Sequence, residues 1–261
     1  MFSCQVIYTT KNQYKHIKLF GDIMEYEIKG GAFPIVVCTL QKGETMKNET
    51  GAMAFMTPGM EMETSTGGGL LKGLGRALSG DTIFLNFFSA KSDGEQIGFS
   101  ACSPGKIMPI RLNGSNMIIG QRNAFLAAEN TVDVDIYFKN RLGTGIFGGE
   151  GFVLQKFTGT GIVFLEVDGE VIQKDLQPGE TLLVNPGHIA AMESTITFDI
   201  QRVRGAKNIL FGEGLFFSRL TGPGKVWIQT MPISKLAEAL IPFLPTQNGG
   251  SDSNATFEFK I

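Results

Sequence analysis

The chain has 261 residues, of which 23 are basic and 25 acidic, so its formal net charge is −2. Nucleic-acid binders normally carry a basic surplus, and this balance argues against generic binding to phosphate backbones. Hydrophobic residues make up 43% of the chain, enough for a substantial core, and 34 glycines between short apolar runs are typical of a turn-rich β protein. Cys4, Cys38 and Cys102 are far apart and odd in number, which indicates reduced thiols rather than a disulfide scaffold.

The first segment, residues 1–23, differs from the rest of the chain because it is polar and carries several lysines. It has no apolar stretch behind a basic start, so it does not resemble a secretory signal. No apolar run approaches the ~18–20 residues that a membrane span needs. We therefore predict a disordered extension over residues 1–23, a natural start at Met24, and a cytoplasmic protein that contacts membranes at most at their surface.

One block of the sequence recurs three times in the same order. It consists of an apolar strand, a glycine turn, a second strand and a run of alternating hydrophobic and polar residues. The three copies are residues 40–64, 111–136 and 175–200. Gly43, Gly114 and Gly179 mark the equivalent turns. The closing alternation predicts a strand with one buried and one wet face.

A second block follows each copy of the first and begins with glycine, then runs into three apolar residues. Its copies are residues 80–88, 149–157 and 212–220. Apolar triplets bounded by glycine favour strands buried on both faces. Two copies continue into glycine pairs, Gly159 to Gly161 and Gly222 to Gly224, for which we predict tight reversals with unusual φ angles.

The two blocks together predict an all-β protein of three tandem units. The predicted units are residues 24–95, 96–166 and 167–233. Recurrence of both blocks in constant order is much stronger support than one glycine-rich match, because fixed-period self-similarity is the signature of repeat architectures.

The period changes after the third unit. Leu236 and Leu240 share a helix face, and Ser234 is a plausible N-cap, so we predict a short helix over residues 234–244 that closes the end of the third unit. The tail, residues 245–261, begins as a flexible linker by composition and ends in an alternating stretch. That stretch either adds as an edge strand to a neighbour or is free.

Five stretches together resemble one known family. They are MEYEIKGGAFPIVVCTLQKGE from Met24, GGGLLKGLGRALSG from Gly67, GIFGGEG from Gly145, and the FTGTG and LTGPGKVWIQT ends of the second and third units. The family is the bacterial one related to altered inheritance of mitochondria protein 24, and the resemblance covers roughly residues 24–245.

The resemblance implies a fold similar to the tryptophan RNA-binding attenuation protein. Each unit would be a small β-sandwich of double-stranded β-helix type. Three units would form a pseudo-threefold protomer, and three chains a ring. The mitochondrial relatives are linked to inner-membrane organisation. The family carries no assigned activity and no catalytic residues to transfer.

Candidate chemistry in the chain is sparse. His188 follows a predicted turn, and the other histidine, His16, lies in the N-terminal extension, so a second ligand in register for a metal is missing. Asp81, Glu150 and Glu213 occupy equivalent turns, where acids either line an axis and bind cations or, more often, cap backbone N–H groups. No paired carboxylates or phosphate-binding loop motif stand out. We predict no catalytic residue, no metal and no cofactor.

The most distinctive local feature is a set of apolar loops that carry cations. The candidate interaction residues are Leu70, Leu71, Lys72, Leu74, Arg76, Ile146, Phe147, Ile209, Leu210 and Phe211. Apolar side chains beside cations suit a membrane surface with anionic lipid. The alternative, which we favour, is that these loops pack against each other or a neighbouring subunit.

These observations predict a non-enzymatic homo-oligomeric scaffold or interaction protein, a trimer by analogy. Its repeated apolar loops would contact a protein partner or a membrane. The alternative is a ring-shaped regulatory module that binds RNA or a small ligand. RNA binding needs matched basic or stacking residues in each unit. Lys156 and Arg219 align in two units, but Phe87 stands at that place in the first.

Overall fold

A computed structural model of the chain describes residues 14–15, 24–49, 51–65, 85–140, 151–202, 216–240 and 243. This part consists of nineteen strands, one short α-helix and two 3₁₀ turns, which confirms the predicted all-β class. None of its helices is long and apolar enough to cross a membrane. Of the predicted extension over 1–23, Tyr14–Lys15 forms a strand that pairs with Glu25–Lys29, and the other residues lie outside the described ranges.

The strands fall into an N-terminal pair and three groups. The pair and the first group are β1 (Tyr14–Lys15), β2 (Glu25–Lys29), β3 (Ile35–Leu40), β4 (Thr45–Glu49), β5 (Met53–Met56), β6 (Met60–Ser65), β7 (Leu85–Ala90) and β8 (Glu95–Ser100). The second group is β9 (Gly105–Asn113), β10 (Ile118–Gln121), β11 (Phe125–Glu129), β12 (Val132–Asn140) and β13 (Phe152–Asp168). The third group is β14 (Val171–Leu176), β15 (Thr181–Val184), β16 (Ile189–Glu193), β17 (Thr197–Arg202), β18 (Phe216–Thr221) and β19 (Gly224–Gln229).

The same antiparallel pairings occur in each strand group. In the first group β3 and β5 pair with β8, while β4 and β6 pair with β7. In the third group β14 and β16 pair with β19, while β15 and β17 pair with β18. In the second group β13 serves both sets, β10 and β12 along its first half and β9 and β11 along its second.

Two local features repeat with these pairings. Each third strand, β5, β11 and β16, has a register shift after its first paired residue, at Met53, Phe125 and Ile189. Such bulges bend a strand and increase its twist. The predicted glycine turns between the first and second strands are also present, since Gly43, Gly114 and Gly179 all have positive φ. In each of these turns a backbone N–H donates to the side chain three residues later in the chain. The pairs are Gln41 to Glu44, Asn113 to Asn116 and Gln177 to Glu180.

The predicted tight reversal at Gly159 to Gly161 is wrong. β13 runs unbroken through both glycines, which have φ values of 96° and 136°. The left-handed φ redirects the strand from one set of partners to the other instead of turning it back. At the equivalent place in the third group, Gly222 has no positive φ, and its constraint is steric, because a β-carbon there would lie 2.4 Å from the Gln177 carbonyl oxygen.

The cores of neighbouring groups are continuous. Ala127 and Phe164 of the second group are buried in the core of the first, where Tyr26 contacts Phe164 edge-to-face at 5.0 Å between ring centroids. Ala191 and Trp227 of the third group are buried in the core of the second. Because fully buried large side chains each contribute about 1.5–3 kcal/mol, these shared clusters hold the groups together.

The C-terminal helix, α1 (Ile233–Leu240), differs in detail from the predicted helix over 234–244. The helix begins at Ile233, so Pro232 occupies the N-cap position and Ser234 lies inside the first turn. The Asp168 Oδ2 atom, at the end of β13, instead accepts a hydrogen bond of 2.7 Å from the Ile233 N–H. No residue of α1 is buried, so the helix lies on the surface.

Candidate interaction edges

The predicted interaction loops lie outside the described residues. This holds for Leu70, Leu71, Lys72, Leu74, Arg76, Ile146, Phe147, Ile209, Leu210 and Phe211. It also holds for His16 and for the repeated acids Asp81, Glu150 and Glu213.

His188 has a structural role. It ends a 3₁₀ turn, and its Nδ1 atom lies 2.8 Å from the Gln229 carbonyl oxygen. The buried Gln229 side chain donates to the Gly187 carbonyl at 2.7 Å and to Gln121 Oε1 at 3.2 Å. The bond to Gln121 joins the third group to the second. Across the described ranges, no three His, Cys, Asp or Glu side chains gather as a metal site.

Cys102 lies beside Glu166 but lacks the features of a nucleophile. Its N–H donates to Glu166 Oε2 at 2.8 Å, and its thiol donates to Glu166 Oε1 at 3.2 Å. Burial and the Glu166 carboxylate raise the pKa of the Cys102 thiol to about 12, whereas reactive cysteines have lowered pKa values. Burial likewise raises the pKa of Glu166. The pair closes the turn between β8 and β9.

Neighbouring strand groups are joined by one recurring kind of strand pair. The second strand of one group pairs antiparallel with the third strand of the next, β4 with β11 and β10 with β16. At the first junction Lys47 lies opposite Ala128. At the second, Ile119 lies opposite Met192. The two registers are equivalent, because Ala128 and Met192 each stand one residue before the glutamate that ends its strand.

The first junction contains a buried cation. Lys47 donates to the Asn130 carbonyl at 3.2 Å. Burial lowers the pKa of the Lys47 ammonium, and the nearby Asp133 and Asp135 oppose that shift. A buried amine is tolerated when it is hydrogen-bonded and close to opposite charge.

A residue at or just after the end of each third strand has a side-chain oxygen that accepts a backbone hydrogen bond from the last strand of its group. Glu129 accepts from the Ile162 N–H at 2.5 Å, and Glu193 from the Lys225 N–H at 2.9 Å. In the first group Thr57 Oγ1 accepts from the Gln96 N–H at 3.0 Å. Burial raises the pKa of Glu129, and the bond from Ile162 opposes the rise. Sequence reasoning missed this feature, because its two partners lie more than thirty residues apart.

Two strands lie at a sheet edge in the described part although the equivalent strands of the other groups are paired on both sides. They are β5, the third strand of the first group, and β15, the second strand of the third group. Phe55 and Met56 on β5 are 42% and 37% exposed, and Leu183 on β15 is 56% exposed. At the junctions, the residues equivalent to Leu183 are Lys47 and Ile119, which are 5% and 0% exposed. The same strand positions are thus buried twice and open once.

The two edges also differ from the other sheet edges in charge. β5 reads MAFM and β15 reads TLLV, with no charged residue in either. Every other edge strand in the described part carries at least one charge, namely Lys15 on β1, Glu61 on β6, Lys106 on β9, Asp133 on β12, Lys174 on β14 and Asp199 on β17. Charged side chains are a common protection of open edges against association. β5 and β15 lack it.

The sequence matches the family model described as Mitochondrial biogenesis AIM24 over residues 26–231. The chain belongs to this AIM24 family. Membership confirms the resemblance predicted from the five sequence stretches. The chain is also similar to an uncharacterized protein of Streptococcus pyogenes serotype M6, with 28% identity over 255 residues that cover 94% of this chain and 99% of that protein.

The AIM24 chain shares its fold with a Streptococcus pyogenes protein of known crystal structure. The TM-score is 0.70 at 22% sequence identity, over 85% of this chain and 100% of that one. At this identity the likeness concerns the fold.

Proposed function

We propose that this AIM24-family protein is a non-enzymatic, homo-oligomeric scaffold. The observation that carries the proposal is the pair of uncharged, apolar strand edges at opposite ends of the chain of strand groups. A long-lived monomer would leave Phe55, Met56 and Leu183 in water beside unpaired backbone groups, a template for association. An assembly buries them.

The scaffold is built from three diverged units of double-stranded β-helix type in a pseudo-threefold arrangement. The recurring strand pairings, the bulge in each third strand and the recurring side-chain acceptor support this proposal. The predicted unit division at 95/96 falls at the start of β8, whose partners β3 and β5 belong to the first unit. We place this division after Ser100 and the next after Asp168, so that each unit keeps its strands.

The polar side chains of the described part favour a scaffold over an enzyme or an RNA-binding module. Cys102 holds its proton, His188 lies at hydrogen-bond distance from the Gln229 carbonyl within the third group, and the Gln229 side chain joins that group to Gln121 of the second. Of the aligned basic residues, Lys156 lies 3.7 Å from Asp135. Arg219 is the direct strand neighbour of Asp199. A backbone-binding groove needs basic side chains free for phosphates.

The assembly is a trimer, in which three chains supply nine units to one ring. The apolar loops around Leu70, Ile146 and Leu210 would contact a protein partner or a membrane from one rim. Native mass spectrometry of protein taken gently from its own cells tests this proposal. We expect three times the 28.3 kDa chain mass, with a partner protein or lipid retained. A bare monomer would overturn the proposal, and a trimer that retains RNA would favour the regulatory module.

A further inference from the structure

We propose that copies of this chain assemble head to tail, with β15 of one copy pairing antiparallel with β5 of the next. The inference rests on the proposed homo-oligomer and names its contact. β15 is the only second strand, and β5 the only third strand, without a partner from a neighbouring group in the described part of the chain. The two junctions inside the chain join these same two kinds of strand.

The internal junctions define the register of the proposed contact. Leu183 is equivalent to Lys47 and Ile119, because the three residues lie opposite aligned positions of β18, β7 and β13. The opposed pairs are Leu183 with Arg219, Lys47 with Phe87, and Ile119 with Lys156. Met56 is equivalent to Ala128 and Met192, because each lies two paired residues beyond the bulge.

Transfer of the register places Leu183 opposite Met56 of the next copy. Val184 then lies opposite Phe55 of that copy, and Leu182 opposite Thr57. Directly opposed apolar side chains in an antiparallel pair stabilise the pairing. Leu183 and Met56, which are both exposed in the single chain, therefore cover one another, and this complementarity selects a second copy as the occupant.

One position limits the contact between copies. At the internal junctions the pairing is extended by one hydrogen bond, from the Asn130 N–H to the Thr45 carbonyl at 2.9 Å and from the Ser194 N–H to the Met117 carbonyl at 3.2 Å. The equivalent residue after Thr57 is Pro58, which has no N–H to donate. The contact between copies therefore ends at Thr57 and is weaker than the junctions inside the chain.

A head-to-tail contact uses two different surfaces, so it either closes into a ring or continues as a filament. The other edges of both terminal groups, at β1, β6, β14 and β17, carry charged residues and do not compete for it. The sheet edge opposite β5 is covered by β2 and β1, and the edge opposite β15 is β17, which carries Asp199. Each copy thus offers two different edges, β15 to one neighbouring copy and β5 to the other.

Disulfide trapping tests the register directly. Full-length chains carrying Met56→Cys or Leu183→Cys are co-expressed in a Cys4→Ser, Cys102→Ser background and oxidised. We expect a disulfide-linked dimer, because opposed Cα atoms in antiparallel strands lie about 4.5–5.5 Å apart, within disulfide range. Met53→Cys is the matched control. It moves the thiol about 10 Å along the strand and should give no dimer with Leu183→Cys.

A chain that carries both Met56→Cys and Leu183→Cys shows whether the two edges pair between copies or within one copy. We expect covalent oligomers up to a closed trimer and no intrachain product. An intrachain disulfide in a monomer would mean that the chain closes on itself and would overturn the inference.

Native mass spectrometry of the same samples separates this inference from the proposed scaffold. An intact oligomer without the in-register disulfide would overturn the edge contact and leave the scaffold standing, whereas a monomer would overturn both. Leu183→Asp should convert the oligomer to monomers of native stability. Ile172→Asp, at an exposed apolar residue on the β14 edge, is the control and should leave the oligomer intact. Equal behaviour of these two variants would also overturn the inference.

Discussion

The Phe55 ring lies across the backbone of Gly98, so a β-carbon added at Gly98 would come within 2.4 Å of Phe55 Cε1. The two residues face each other in the β5–β8 pair. The equivalent pairs in the other groups have the sizes reversed, Ala127 opposite Phe164 and Ala191 opposite Trp227. Each pair has one large and one small member, which keeps the volume at this position nearly constant.

A double-mutant cycle tests this exchange of sizes. We expect Gly98→Val to cost about 1 kcal/mol in the parent, because the ring must leave its place. In a Phe55→Ala background the same substitution should be neutral or stabilising, since valine suits a strand better than glycine. Urea unfolding of the four proteins gives the coupling. Equal effects of Gly98→Val in both backgrounds would show that the ring does not occupy this site.

Gly159 should tolerate no side chain. It combines a φ of 96° with a β-carbon position 2.3 Å from the Thr131 carbonyl oxygen. We expect Gly159→Ala to lower the free energy of unfolding by roughly 3 kcal/mol or more, from backbone strain and the clash together. Gly43→Ala is the control, because Gly43 has a φ of 87° but nothing within 4 Å of the added carbon. It should cost about 1–2 kcal/mol. Similar losses at both sites would mean that the clash is relieved.

Glu166 should make stability depend on pH in a defined direction. Burial raises its pKa in the folded state above the ordinary value of 4.5. The folded protein therefore binds this proton more tightly, and the resulting stability is present below pH 4.5 and lost as pH rises through the raised pKa. Glu166→Gln removes the titration.

We expect the stability of Glu166→Gln relative to the parent to increase as pH rises from 4 towards 7. Urea unfolding at a series of pH values measures this difference. Glu170→Gln is the control, since Glu170 is largely exposed and pairs with Lys106 at the surface. A pH-independent difference for Glu166→Gln would contradict the raised pKa.

Asp168 should hold the start of α1. Its carboxylate accepts from the Ile233 N–H and from the Ser103 hydroxyl, so it links the helix to the turn between β8 and β9. We expect Asp168→Ala to cost about 1–2 kcal/mol locally, the usual effect of a lost N-terminal acceptor. Amide hydrogen exchange should quicken in α1 far more than in β13. The control, Glu238→Ala within the exposed helix, should leave hydrogen exchange nearly unchanged. Equal acceleration of exchange in both variants would show that Asp168 does not cap α1.

The membrane contact proposed for the apolar loops is tested with vesicles. Replacing Leu70, Leu71 and Leu74 by serine should lower binding to vesicles that contain anionic lipid and leave the melting temperature unchanged. Apolar side chains contribute to interfacial binding through their buried area, so their loss weakens it. Vesicle sedimentation measures the bound fraction. No binding by the parent, or binding unaltered by the substitutions, would leave a protein partner as the role of these loops.

Local patterns in the sequence were sufficient for the fold class and the family. Alternation at Val132 to Ile136 predicts a strand, and Gly43, Gly114 and Gly179 predict turns, because period and φ preference act within a few residues. Both are present in the structure. The same local reasoning failed at Gly159, where a glycine pair lets one strand change sheets, and at Ser234, where a distant carboxylate caps the helix.

The sequence by itself determined the all-β class, the recurring blocks and the AIM24 membership. Only the tertiary structure decided which strand edges stay open. The third strands MAFM at β5, FLAAE at β11 and IAAME at β16 are all largely apolar, yet of these three only β5 has an edge that no described strand covers. An edge is open or covered according to pairing between strands as far apart as Lys47 and Ala128. Such pairing depends on long-range packing, because both strands must be brought together before either backbone gains a partner.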